Sequence, residues 1–222
     1  MQQEDNRINK LIQDVIEVGK RCYSRGLCVA DEGNISVRID DNRFLCTASG
    51  SMKGYLKEED IILIDRNGTV IKGDKNSSTE TPMHLYIYRQ RSDVGAVLHA
   101  HPPFATGFAA ARIPLDRCVL PEIVVHLGSV PLVEYGTPGT EEFYKGMQSY
   151  IAKRDVILLA NHGIVSAGSD VYDAYFKLER VEQFARILFI ARMLGGEVEL
   201  SKNDIEKLRA QFGEFMAETC SI

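Results

Sequence analysis

The sequence predicts an α/β fold in which a mixed β-sheet is covered by helices. Amphipathic helical patterns and short extended runs are interspersed along the whole chain rather than segregated into halves. No Pro/Ser-rich or charge-rich linker divides it, and no internal repeat or low-complexity tract occurs. With 45% apolar and 26% charged residues the composition is that of a globular protein with one core. At 222 residues, against roughly 150 per domain, a single domain spanning residues 1–222 is expected.

The elements follow in order. Ile8, Leu11, Ile12, Val15, Ile16 and Cys22 recur at helical spacing; Asp5 or Asn6 suits the start of that helix and Gly26 its stop. Residues 35–39 and 43–48 read as strands joined by the turn-prone Asp40-Asp41-Asn42. Residues 60–65 and 69–72 flank Arg66-Asn67-Gly68, and Asn-Gly is a strong hairpin signal. A helix follows Glu80, with Pro82 in its first turn. Residues 94–101 read as a buried strand, and Pro102-Pro103 opens a helix over 104–111. Strands are expected at 123–127 and 130–135, a helix from Gly139-Thr140 to about 152, and a strongly apolar strand at 155–160. The longest helix covers 172–194 and is stopped by Gly195-Gly196; Ser201 suits the cap of a last one.

The net charge of −5, with no cluster of Lys or Arg, argues against a nucleic-acid or anionic-membrane partner. The five cysteines (Cys22, Cys28, Cys46, Cys118, Cys220) include no CxxC pair, which fits reduced thiols in a cytoplasmic protein. The polar N-terminus lacks the apolar stretch of a signal peptide, and no apolar run approaches the ~20 residues that span a bilayer.

The chemistry gathers around histidine. The chain has five: His84, His99, His101, His126 and His162. His99-Ala100-His101 ends a strand, where residues i and i+2 project from the same face. Two neutral imidazoles held that way make a bidentate seat for a divalent metal; the alternative is a strand end that turns two polar side chains to solvent. His162 ends the next strongly apolar strand and is followed by Gly163, which permits close backbone approach. Three histidines at strand ends match the three-ligand, one-open-position pattern of catalytic zinc.

Ser77-Ser78-Thr79-Glu80-Thr81-Pro82 precedes a helix, and its hydroxyls with the helix-start amides suit an anion such as phosphate. Equally, Ser78 or Thr79 could be a plain cap and Glu80 a dipole-stabilising carboxylate. Gly33-Asn34-Ile35-Ser36 and Thr47-Ala48-Ser49-Gly50 are loops of the same character; each alone is an ordinary turn.

In number and order, these motifs, with Tyr135-Gly136-Thr137-Pro138-Gly139-Thr140 and His162-Gly163, resemble the class II aldolase/adducin family, from about Ile8 to Leu200. The resemblance implies a three-layer α/β/α sandwich with a mixed, largely antiparallel sheet, commonly assembled as a homotetramer. It implies His99, His101 and His162 as zinc ligands, with Glu80 as acid/base carboxylate that also contacts the metal at rest. Asn34, Ser49, Gly50, Ser78 and Thr79 would hold the phosphate of a small sugar-phosphate substrate. The implied activity is that of a lyase. It cleaves a ketose 1-phosphate such as L-fuculose 1-phosphate to dihydroxyacetone phosphate and an aldehyde, through a metal-stabilised enediolate. Ribulose-phosphate 4-epimerase and methylthioribulose-phosphate dehydratase chemistry are the alternatives on this scaffold, and an adducin-like interaction module a third. Glu at position 80 favours the aldolases, since the epimerases typically carry Asp. Two departures stand out: Ser78-Thr79 where the family often has Ser-Ser, and no counterpart of the tyrosine that in the fuculose enzymes completes a neighbour's site.

Other polar residues receive structural readings. Lys53 is expected at the surface or near the phosphate, and His84 half-buried on a helix. Glu122 is read as structural or interfacial, although the dehydratase branch has a glutamate in roughly this region.

Overall fold

The computed structural model describes residues 2–213. Helix α1 (Gln2–Ser24) buries Val15, Ile16, Val18 and Cys22; it begins before Asp5 and Asn6, so neither caps it. The strands are β1 (Asn34–Arg38), β2 (Arg43–Thr47), β3 (Ile61–Asp65), β4 (Val70–Lys72), β5 (Ala96–Ala100), β6 (Leu132–Val133), β7 (Val156–Leu159) and β8 (Gly163–Gly168). They form one eight-stranded sheet in the order β4-β3-β2-β1-β5-β8-β7-β6. Every neighbouring pair is antiparallel except β6–β7.

Both faces of the sheet are covered, which is why its central strands read as continuous apolar runs. On one face Ala96, Leu98, Val156 and Leu158 pack with α1, α3 (Pro103–Ala110) and α7 (Val171–Met193), through residues such as Val18, Phe108, Leu178 and Phe184. On the other, Val97, Ile157, Leu159 and Val165 meet Met83, Ile87, Phe143 and Ile151 from α2 (Thr81–Gln90), α5 (Glu141–Lys145) and α6 (Gln148–Ile151). The result is the α/β/α arrangement the motifs imply.

Three local expectations change. Residues 123–127 are not a strand: Pro121 starts a short helix, α4 (Pro121–His126), whose Val124 packs on Ile205 of α8 (Lys202–Phe212). A short apolar run carries no period that separates strand from helix, and Pro121 in the first turn decides it. The helix expected over 139–152 breaks after Lys145 into α5 and α6, and of residues 130–135 only Leu132–Val133 pairs as a strand. The cap expectation at Ser201 holds, its hydroxyl accepting from the Asp204 amide at 3.2 Å.

Cys22, Cys28 and Cys46 are free and buried, whereas Cys118 is disulfide-bonded, a departure from the expectation of reduced thiols; Cys220 lies outside the described residues. Among the described residues no helix is long and apolar enough to cross a membrane.

Candidate metal and substrate site

Strand order brings the motifs together. β5 lies between β1 and β8, with Asn34 opposite His99 in one ladder and Val165 opposite His99 in the other. Directly opposed residues project from the same face, so Asn34 and His99 share a surface. His162 sits in the tight β7–β8 turn, its amide donating to the Leu159 carbonyl at 3.0 Å. Two glycines make room. A Cβ on Gly33, whose φ is +74°, would meet the His99 carbonyl at 2.6 Å; one on Gly163 would meet His101 Cδ2 at 2.5 Å. Backbone must approach this closely for the imidazoles to converge.

The Nε2 atoms of the three histidines form a triangle: 3.0 Å from His99 to His101, 3.4 Å from His101 to His162 and 2.9 Å from His162 to His99. Ligands of a tetrahedral zinc, bound at 2.0–2.1 Å, lie about 3.3 Å apart. The donor set therefore fits one divalent cation. The Nδ1 of His99 lies 2.9 Å from the Ile164 carbonyl and donates to it, so its Nε2 carries the lone pair. Burial pushes His99 down to about 3 and also lowers His101, so both rings are neutral and able to ligate at neutral pH.

Glu80 is the N-cap residue of α2, yet its side chain makes no cap hydrogen bond. It turns instead to the cluster, with Oε1 at 2.9 Å from His162 Nε2 and Oε2 at 3.4 Å from His99 Nε2. Asn34 Nδ2 donates to Oε2 at 2.6 Å. Burial alone would raise the Glu80 carboxyl, but the hydrogen bonds with His162 and Asn34 hold it well below the usual carboxylate range.

The small-polar loops lie at the same end. An isolated bridge pairs Ala48 with Ser77, and the Ser49 amide donates to Asn76 O at 2.9 Å, placing Ser49 and Gly50 beside the Ser78-Thr79 turn. Asn34 Nδ2 is 3.5 Å from Ser78 Oγ. One element of the anion expectation is corrected. The first amides of α2 are not free: Glu80 N donates to Ser78 Oγ at 3.2 Å, Thr81 N to Ser78 O at 3.0 Å, and Pro82 has none. The buried Asn34 Oδ1 has no partner among the described residues.

Lys53 is not at the surface. It is 1% exposed and donates to the carbonyls of Asp31 (2.8 Å) and Ser51 (2.5 Å), tying the loop before β1 to the loop after β2. His84 is fully rather than half buried, its Nδ1 2.7 Å from Ser36 Oγ, itself 2.9 Å from the Tyr88 hydroxyl. Glu122 and His126 lie on α4, away from the cluster's contacts. Sequence reasoning missed Phe143, whose ring packs edge-to-face with that of His162, centroids 5.0 Å apart. It also missed Glu32, which was legible only as a neighbour of the Gly33-Asn34 motif, and Glu182 of α7. Glu182 accepts from the Phe104 and Ala105 amides at 3.0 and 2.8 Å and so anchors the helix that follows His101.

Comparison with known proteins identifies the family. The family model described as the class II aldolase and adducin N-terminal domain matches residues 13–189. An L-fuculose phosphate aldolase of Methanococcus maripaludis is 36% identical over 184 residues, 82% of this chain and 99% of its own. A 3-oxo-tetronate 4-phosphate decarboxylase of Haemophilus influenzae is 32% identical over 179 residues, 79% of this chain and 85% of its own. The solved structure of an L-fuculose 1-phosphate aldolase superposes with a TM-score of 0.83 at 33% identity, covering 92% of this chain and 96% of that one. Fold and extent of match agree, and the chain belongs to the class II aldolase/adducin family.

Proposed function

We propose that this protein is a zinc-dependent aldolase that cleaves a ketose 1-phosphate, such as L-fuculose 1-phosphate, to dihydroxyacetone phosphate and a small aldehyde. The observation that carries the reading is the convergence of three imidazole nitrogens within 3.4 Å of one another, with the Glu80 carboxylate 2.9 Å from one of them.

His99, His101 and His162 would hold the cation, with Glu80 in contact at rest. Bound there, zinc supplies stabilisation of the negative charge that builds on oxygen as the carbon–carbon bond breaks, worth several kcal/mol. Glu80, kept ionised by its surroundings, would accept the proton that the hydroxyl of the departing aldehyde loses and deliver it to the carbon beside the carbonyl, and in the reverse direction would take the proton from that carbon. Asn34 holds that carboxylate in place through Nδ2. Asn34, Ser49, Gly50, Ser78 and Thr79 would hold the phosphate, through hydroxyls, the Asn34 side-chain amide and the Gly50 backbone amide, because the α2 amides are already used. Fixing the phosphate orients the reacting carbons against Glu80 and the cation. No lysine nucleophile is needed, and Lys53, buried and bonded to two carbonyls, serves the loops.

A second reading is favoured by the 32% identical decarboxylase. Loss of carbon dioxide from a 3-oxo acid leaves the same kind of carbanion beside a carbonyl, so one site suits both. By family similarity the protein works as a cytoplasmic homotetramer, and sedimentation equilibrium tests the assembly. The deciding experiment offers the zinc-loaded protein a panel of ketose phosphates, ribulose 5-phosphate included, and 3-oxo-tetronate 4-phosphate. Release of dihydroxyacetone phosphate supports the aldolase, carbon dioxide alone the decarboxylase, and rearrangement without cleavage an epimerase.

A further inference from the structure

Each ring of a three-histidine centre needs its second nitrogen held if the first is to stay aimed at the cation. His99 meets that need inside the sheet, through the Ile164 carbonyl, and the His162 ring is braced by its T-shaped contact with Phe143. His101 lies past the end of β5, where the ladder with β8 stops at Ala100. Its Nδ1 instead faces Oε2 of Glu32 at 3.3 Å.

We propose that Glu32 is a positioning residue for the metal centre, fixing the ring of His101 with Nδ1 as donor and Nε2 as ligand. This rests on the reading of the three histidines as a cation site. The loop that carries Glu32 is itself held: its amide donates to the Val29 carbonyl at 3.0 Å, and buried Lys53 grips the carbonyl of Asp31 at 2.8 Å. Gly33, at φ +74° and pressed against the His99 carbonyl, lets the chain place Glu32 beside His101 and, two residues on, Asn34 beside Glu80. One short motif thus supports both a ligand and the acid/base carboxylate. Glu32 is 43% exposed at its side chain, and as an isolated ion pair such a contact would contribute little to stability. Its effect falls on metal affinity, because a carboxylate on the far nitrogen orients the imidazole and makes it a stronger donor.

The test measures zinc affinity of the full chain, stripped and reloaded, by competition with a chelator. Glu32→Ala is expected to bind zinc ~10–100-fold more weakly than the wild type, with Glu32→Gln, which keeps an acceptor oxygen, in between. The visible spectrum of the cobalt-substituted protein should change in the alanine variant, a signature that a purely structural surface residue would not move. Exposure of Glu32 makes a folding failure unexpected, and circular dichroism checks it. Alanine and wild-type proteins with affinities within twofold and identical cobalt spectra would overturn the inference alone. A wild type that takes up neither ion would overturn it together with the metal reading.

Discussion

His99 stands in the middle of an eight-stranded sheet, 1% exposed and hydrogen-bonded to a neighbouring strand, whereas Ser49, Gly50 and Thr79 lie on exposed turns just outside their elements. Both regions face the same space, but their geometry has different origins. His99 is placed by β-ladders and by packing on two sides, and His101 and His162 by the strand end and the tight turn beside it, so the ring separations follow from the sheet. The turns are placed by local bonds such as Glu80 N to Ser78 Oγ, and by the Lys53 clamp between loops. On the proposed reading, a cation that needs fixed ligand distances would sit in the rigid region, and an anion that tolerates several donor arrangements in the exposed one.

The sharpest way to break this contrast is His99→Ala. It should abolish zinc binding and lower turnover ~10³-fold or more while leaving the far-ultraviolet circular dichroism native, since several kcal/mol of charge stabilisation would be lost. Zinc retained at one equivalent per chain would show that the buried ring is packing and not ligand. Next is Glu80→Gln, expected to keep its zinc and lose ~10²–10⁴-fold in kcat; full activity in this variant would remove the proton-transfer role.

On the loop side the effects should be smaller and fall on binding. Ser78→Ala should raise KM ~10-fold or more with a lesser change in kcat, as expected for losing a hydrogen bond of about 1.5–3 kcal/mol to a charged group. A KM within twofold of wild type would leave Ser78 as a turn residue only.

Behind both regions, His84 is fully buried, and burial pushes its pKa down to about 4, against a weaker opposing pull from Glu80. The unfolded chain takes up this proton near pH 6.5 and the folded one near 4, so stability is lost as pH falls through that window. Urea unfolding at pH 7 and pH 5 should give roughly 2 kcal/mol more acid loss in the wild type than in His84→Gln. Equal slopes would mean that the ring is not held neutral.

Much of this was legible in advance because it is local. Apolar periodicity located α1, prolines in the first turn marked the starts of α2 and α3, and Gly195-Gly196 the end of α7; the i, i+2 spacing of His99 and His101 identified a same-face pair; glycines beside Asn34 and His162 pointed to close approach. The failures also have local causes. Residues 123–127 were too few to carry a period, and Lys53 looked like any exposed lysine because nothing nearby in sequence reveals the carbonyls of Asp31 and Ser51 that receive it. The Cys118 disulfide was likewise invisible in spacing alone.

By itself the sequence determined the segments, their apolar faces, and which side chains have the chemistry for a cation and an anion, since those depend on residue type and short-range period. Tertiary structure decided the strand order that puts β5 between β1 and β8. From that order come Asn34 opposite His99, the Ile164 carbonyl at its Nδ1, and the meeting of Glu80, His162 and Phe143. Pairing between strands is chosen by packing summed over both sheet faces, a long-range quantity that no short window of residues contains.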